Sequence, residues 1–189
     1  MSALASFLGL SRGRHERAGF TLYGAAVAAA REPYLYTTIG APDTLDGRFD
    51  LVGLHAFLLI RRLQREAEPN TAPGTALAQA VFDAMFSDMD INLRELGVGD
   101  MTVGKRVRAM WEAFHGRSAA YAAAMAESGE APLAAALARN IWRGEPPPEG
   151  AALALARLVR AQDAYLADQQ WGALAKGEVL LLPAEAACR

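Results

Sequence analysis

Two segments of the chain each contain several acidic residues close in sequence to one arginine. Acids and an arginine at this spacing are candidates for a binding site. Residues 42–50 hold three aspartates around Arg48, and residues 83–100 hold acids, an amide and one arginine between apolar residues. Such carboxylates bind a metal ion, recognise a basic partner or pair with arginines. These polar residues, and one histidine that lies between the two segments, are candidates for a partner-binding surface or a polar network. They are Asp43, Asp46, Arg48, Asp50, His55, Asp83, Asp88, Asp90, Asn92, Arg94, Glu95 and Asp100.

The second segment has helical spacing, which places its polar residues on neighbouring faces of one helix. Asp90 and Arg94 are four residues apart, so we expect them to pair. A solvated surface of salt bridges accounts for these faces, and so does an acidic surface that meets a basic partner. A magnesium site would require a second acidic cluster opposite the first, and only Asp43, Asp46 and Asp50 can supply it.

Arg48 lies in the first turn of a predicted helix, where its charge opposes the helix dipole. We therefore expect a carboxylate partner, either Asp88 or Asp90, and we expect the two acidic segments to meet in space. His55 lies in an apolar stretch, so a hydrogen-bonded core histidine is its expected role. No two histidines have zinc-ligand spacing, and no serine or cysteine stands in a nucleophile motif. The sequence carries no complete catalytic signature.

The sequence pattern predicts that these residues lie on helices of an all-α protein. We expect a single-domain bundle of about six helices with one helix buried at its centre. The second predicted helix is apolar on nearly every side between residues 51 and 63, as is typical of the middle of a bundle. Residues 33–44 are predicted as a loop, and the prolines at 146–148 as a stiff connector. The predicted helices cover residues 16–31, 47–66, 75–97, about 102–125, 132–141 and 151–171.

Composition narrows the class of protein. A length of 189 residues suits one domain, and the formal net charge of −2 gives no electrostatic footprint for nucleic acid. The one cysteine, Cys188, excludes an internal disulfide and indicates a reducing compartment, and we expect it to be frayed and inert. No apolar run approaches the about 20 residues that a membrane span needs. Residues 1–19 are predicted as a basic, amphipathic segment, for which two roles stay open: a flexible start that docks weakly, or contact with an anionic membrane.

The order of many polar and glycine positions resembles the ubiquinol–cytochrome c chaperone domain over about residues 20–121. In the first half the similarity rests on residues 22–23, 30–31, Pro33, Tyr36, 42–50, 54–55 and Phe57. In the second half it rests on Gln79, 82–83, 86–90, 92–95, 97–100, 103–105, Phe114, 116–117 and Tyr121. We expect residues 20–145 to form the chaperone domain. From the sequence pattern alone, we expect residues 146–189 to add a proline connector, a C-terminal helix and a tail to the same domain.

The resemblance implies that the protein is an assembly chaperone for the cytochrome bc1 complex rather than an enzyme. We expect it to need no cofactor. Its implied client is newly made cytochrome b, a membrane protein, and a ribosome or a small partner protein are further expected partners. Because the chain has no long N-terminal extension, we expect a bacterial-type member at the cytoplasmic face of the inner membrane, and the alternative is the mitochondrial matrix side. Two other functions stay open, namely a metal-dependent enzyme that uses Asp83, Asp88 and Asp90, and a structural adaptor in another complex.

A chaperone for a membrane protein needs an adaptable apolar groove with a polar rim. Methionine repacks easily, so methionines are candidates for such a surface, although Met85 and Met89 are predicted to fill the core. Trp142 and Trp171, near the proline connector, are predicted to be partly exposed anchors. Trp111 is predicted in the apolar stripe of the fourth helix. The other candidate methionines are Met101, Met110 and Met125.

Overall fold

The computed structural model describes residues 2–66 and 68–188, and it describes the side chains of residues 13–66, 68–100 and 102–188. Every element in these residues is a helix, which confirms the predicted all-α fold. The helices are α1 (Ser2–Ala30), α2 (Pro33–Thr37), α3 (Leu45–Gln64), α4 (Thr71–Glu95), α5 (Asp100–Ala126), α6 (Ala131–Ile141), α7 (Ala151–Ala167), α8 (Trp171–Leu174) and α9 (Ala184–Cys188).

Helix α3 lies at the centre of the bundle. It is buried on nearly every side and packs against α1, α4, α5, α6 and α7, as its all-round apolar pattern predicted. One hydrophobic core surrounds it, with members from Ala18 in α1 to Cys188 in α9. The helix begins at a side-chain cap, because the hydroxyl of Thr44 accepts a hydrogen bond from the Gly47 N–H at 3.1 Å.

Two close helix contacts arrange α1 and α4 around α3. Residues 65–70 connect α3 to α4, and the short connection lets the two helices pack against each other as an antiparallel pair. Helix α1 packs against both. Gly19 permits this approach, because a Cβ atom there would lie 2.7 Å from the carbonyl carbon of Ala80 in α4.

Several predicted boundaries are wrong, and prolines account for two of them. Helix α2 occupies part of the predicted loop, since Pro33 suits a first helical position and Leu35 is buried beneath it. Helix α4 begins at Thr71 rather than near residue 75, because Pro73 in its first turn has no hydrogen bond to lose. The predicted sixth helix is α7, which ends at Ala167 rather than at residue 171, and Trp171 begins the separate short helix α8.

The two ends of the chain also differ from expectation. Helix α1 begins at Ser2 rather than near residue 16, and the predicted membrane contact of residues 1–10 falls outside the described side chains. Cys188 is buried in α9 instead of frayed, and burial raises the pKa of its thiol. The N–H of Ala184 donates to Glu32 at 2.7 Å, which fixes α9 on the core. No helix in the described part of the chain is long and apolar enough to cross a membrane.

Candidate functional site

Asp50 is the centre of a buried ion network. Its side chain is 0% exposed, and Arg117 in α5 donates Nη1 to one of its carboxylate oxygens. Arg143, in the turn after α6, donates Nε to the other oxygen at 2.8 Å and Nη2 to the first at 3.1 Å. Arg143 also donates Nη1 to Asp46 at 2.7 Å. The network therefore joins α3 to α5 and to the α6–α7 connection.

Burial and the two arginines act in opposite directions on the charge of Asp50, and Arg143 has an unfavourable backbone conformation. Burial raises the pKa of Asp50, while the hydrogen bonds and charges of Arg143 and Arg117 lower it. The hydrogen bond to Asp50 raises the pKa of Arg143. Arg143 has φ of 52°, a left-handed conformation that costs a non-glycine residue about 1–2 kcal/mol. Its two hydrogen bonds to one carboxylate stabilise that conformation.

Arg48 pairs within its own segment, so its predicted pairing with Asp88 or Asp90 is wrong. Its Nε donates to Asp43 at 2.6 Å, and both side chains are more than half exposed. The hydrogen bond from Arg48 lowers the pKa of Asp43. The turn that precedes α3 brings this carboxylate to the helix start, and the arginine needs no partner from α4.

In the second acidic segment, Arg94 bridges two carboxylates. Its Nε donates to Asp90 at 2.6 Å, which confirms the predicted pair, and its Nη1 donates to Asp100 at the start of α5. Both acids carry exposed surface, so the bridge is a surface feature. Asp83, two turns before Asp90, accepts a hydrogen bond from Gln79 at 2.7 Å.

Asp88 is a packing contact between α1 and α4. The hydroxyl of Tyr23 donates to its carboxylate at 2.6 Å, and Asn92 donates to its main-chain carbonyl at 2.7 Å. Burial, together with the hydrogen bond to Asp88, raises the pKa of Tyr23, so the hydroxyl keeps its proton at neutral pH. Glu95 ends α4 and is exposed.

We expect Tyr23→Phe to lower the free energy of unfolding by about 1–2 kcal/mol, because it removes a partly buried hydrogen bond to a carboxylate. Urea denaturation followed by circular dichroism measures this loss. Tyr165→Phe is the control, since the half-buried Tyr165 hydroxyl makes none of the described hydrogen bonds, and its effect should stay within about 0.5 kcal/mol. Equal losses for both variants would contradict a stabilising role for the contact with Asp88.

The two acidic segments thus form hydrogen bonds with different parts of the protein. Residues 42–50 bond to α5 and to the turn after α6, whereas residues 83–100 bond to α1 and to one another. Within the described residues, no three histidine, cysteine, aspartate or glutamate side chains are grouped as ligands of one metal ion. His55 is a core histidine as predicted, with Nδ1 2.9 Å from the Leu51 carbonyl, and burial lowers the pKa of its ring. Asp50, Asp88 and His55 thus hydrogen-bond within the fold, and a role of the other acids in partner binding stays a prediction.

An open groove lies between α3, α4 and α5, a location that the sequence did not indicate. Its volume is about 560 Å³, with Phe57 and Ile60 of α3, Phe82 of α4 and Phe114 of α5 among its apolar walls. Trp111 lies at its edge and is 46% exposed, although its spacing predicted a core position. We call this surface the α3–α4–α5 groove. Its other lining residues are Arg61, Gln64, Thr75, Ala78, Gln79, His115, Ser118 and Ala122.

Aromatic side chains join α4 to α5 beside this groove. The ring of Phe82 lies 5.7 Å from that of Phe114 and 5.4 Å from that of His115, measured between centroids. Trp111 and His115 stand edge to face at 4.2 Å, and Phe86 lies 4.7 Å from Phe82. Contacts of this kind add to the stabilisation that burial provides. The rings therefore keep the groove edge in a fixed shape.

A second groove lies along the surface between α1 and α4, and it is lined by more charged residues than the first. Its volume is about 680 Å³, and it contains the exposed ring of Phe20. Charged groups from both helices line it, among them Glu16 and Asp83, as does His15. Gln79 lies on the ridge between the two grooves and lines both. The described surface thus has one charged groove and one largely uncharged groove side by side.

The predicted surface anchors are only partly correct. Trp142 is buried, and its indole N–H donates to the Gly40 carbonyl at 2.9 Å, so it is not an exposed anchor. Trp171 is half-buried. Met85 is fully buried, as predicted. Of the other candidate methionines, Met125 is buried, Met89 and Met110 are half-buried, and the side chain of Met101 lies outside the described ones.

Comparison with known proteins gives two matches. The sequence model of a family described as ubiquinol-cytochrome C chaperone matches residues 37–181. Among solved structures, the crystal structure of the Cbp3 homolog from Brucella abortus is similar, with a TM-score of 0.80 and 33% sequence identity. The similarity covers 96% of this chain and 98% of that chain. No curated protein matches the chain.

Proposed function

Because the chain belongs to the ubiquinol–cytochrome c chaperone family, we propose that it promotes assembly of the cytochrome bc1 complex by binding newly made cytochrome b. The family match over residues 37–181 carries this proposal. The similarity to the Brucella protein supports it, because it extends over nearly the whole of both chains.

The geometry favours binding over catalysis. Asp50 is enclosed by two arginines, and the ring of His55 is buried against a main-chain carbonyl. Neither group is placed to act on a substrate. The surface offers instead an open apolar groove with an exposed tryptophan at its edge, which suits a partner that exposes apolar residues. Newly made cytochrome b is such a partner before it is assembled.

The proposal also places the protein at the cytoplasmic face of the inner membrane, where a bacterial cytochrome b emerges during synthesis. The Brucella relative is bacterial, which supports this location over the mitochondrial matrix. We further propose that contact with the membrane is peripheral, and that the ribosome or a small partner protein brings chaperone and client together.

Deletion of the gene tests this function in the native host. We expect assembled bc1 complex and cytochrome b to fall together, because an unassembled client is degraded, while unrelated respiratory enzymes change little. Native electrophoresis of membranes, immunoblots and the haem b absorbance measure these levels. A plasmid that carries the wild-type gene should restore both. Normal bc1 levels in the deletion strain would refute the proposal, and co-purified proteins without cytochrome b would favour an adaptor in another complex.

A further inference from the structure

We propose that the α3–α4–α5 groove holds one face of an uncharged, apolar helix of the client, with Trp111 as the contact at the groove edge. This inference rests on the proposed function, since it names the surface through which the chaperone holds its membrane-protein client. It commits to a helix of the kind that later spans the membrane, rather than to a charged loop or an amphipathic segment.

The charges of the groove select this occupant. The described residues that line it include no carboxylate, and the one guanidinium, that of Arg61, donates at 3.2 Å to Asp163, a carboxylate that also accepts from Arg65. Most of the remaining polar groups are amides and hydroxyls, such as Gln79 and Ser118. A basic helix would lose hydration here without gaining a partner charge, and an acidic helix would have to compete with Asp163 for Arg61, whereas an uncharged helix loses little. The α1–α4 groove, by contrast, contains the carboxylate of Asp83, which accepts a hydrogen bond from the uncharged amide of Gln79.

The length of the groove fits a helix. Along α5 its wall extends from Trp111 to Ala122, which at about 1.5 Å per residue corresponds to roughly 16 Å or three helical turns. Along α4 it extends from Thr75 to Phe82, about two turns. Since a membrane-spanning helix has about 20 residues, the groove covers one face of about half of it. The client helix would therefore be held over part of its length and released without unfolding the chaperone.

Trp111 supplies the anchor that such a contact needs. Its ring is 46% exposed beside the apolar wall, and the edge-to-face contact with His115 orients it. Tryptophans in this situation dominate binding energy, because they bury a large apolar area at a small cost in conformational entropy. Covering this ring also removes exposed apolar surface from the free chaperone.

The test compares Trp111→Asp with Leu153→Asp in the full-length protein purified from the native host. Leu153 is 40% exposed on α7 and lies outside the groove, so it controls for an added surface charge. We expect Trp111→Asp to lower the cytochrome b that co-purifies by about tenfold or more, as loss of a hot-spot residue does. Leu153→Asp should retain it within about twofold. Thermal melting of both variants checks that the fold is intact.

A photoreactive benzoylphenylalanine at position 111 identifies the occupant directly. We expect it to cross-link to apolar helices of newly made cytochrome b, and the same group at position 153 should give no such product. Retention of cytochrome b by a folded Trp111→Asp variant would overturn the groove assignment while leaving the proposed function intact. Cross-links only to a second copy of the chain, or only to charged loops of the client, would overturn it as well. Absence of cytochrome b from the wild-type preparation, with normal bc1 levels after deletion, would refute the function itself.

Discussion

Asp50→Ala should lower the free energy of unfolding by about 3–4 kcal/mol. The change removes the carboxylate that both Arg117 and Arg143 contact, and breaking a buried ion pair costs about 3–5 kcal/mol. We place the value in the lower part of that range because Arg143 is 43% exposed, so water can hydrate its guanidinium once the partner is gone. Arg117 is only 18% exposed and loses more.

Urea denaturation of Asp50→Ala and Asp43→Ala separates the buried network from an exposed ion pair. Asp43 also accepts from an arginine, but both partners are more than half exposed, so its loss should cost less than about 1 kcal/mol. Asp50→Asn keeps the shape of the side chain and removes its charge, and we expect an intermediate loss. Similar losses for Asp50→Ala and Asp43→Ala would show that Asp50 does not join the helices as described.

Hydrophobic periodicity predicted correctly those helices whose apolar faces are covered by neighbouring helices. Helix α3 is apolar all round and is surrounded by five helices. In α6, Leu133, Leu137 and Ile141 recur at helical spacing, and all three are buried. In these helices each apolar face is covered by a neighbouring helix, so the sequence pattern alone was sufficient to predict which residues are buried.

The ion network could not be predicted from spacing. The acids around Arg48 indicated a polar network, but the partners of Asp50 are 67 and 93 residues away, on α5 and beyond α6. Nothing in the sequence near Arg117 links it to a buried carboxylate, because its partner lies on another helix. Arg48 was paired with distant acids, although Asp43, five residues away, was already within reach.

The groove was missed for a related reason. Trp111 follows the spacing of Phe114, so periodicity placed both rings in the core. Phe114 is buried, but Trp111 is at the edge, where the packing of α3, α4 and α5 leaves space. Whether an apolar position on a helix is covered depends on the neighbouring helices, and a single sequence does not specify how closely they approach.

Gly47→Ala should also be destabilising, at about 2–4 kcal/mol. An added Cβ atom would overlap the carbonyl oxygen of Pro42 and lie 3.0 Å from its carbonyl carbon, and a main chain cannot turn aside as a flexible side chain does. Overpacking of this kind costs about 1–3 kcal/mol. Moving the segment also disturbs the hydrogen bond from the Gly47 N–H to Thr44, and loss of such a cap costs about 1 kcal/mol.

Gly104→Ala provides the matched comparison, because Gly104 is also helical but a Cβ atom added there would meet no described neighbour within 4 Å. Alanine is the better helix former at such a position, so we expect a gain of about 0.5–1 kcal/mol in the free energy of unfolding. Opposite signs for the two glycines would show that the close approach of residue 42, not helix propensity, controls position 47. This matters for the ion network, since Asp46 and Asp50 lie in the same first turns of α3. If Gly47→Ala were tolerated, the segment before α3 would not be packed against the helix, and the alignment of these acids with Arg143 would need another cause.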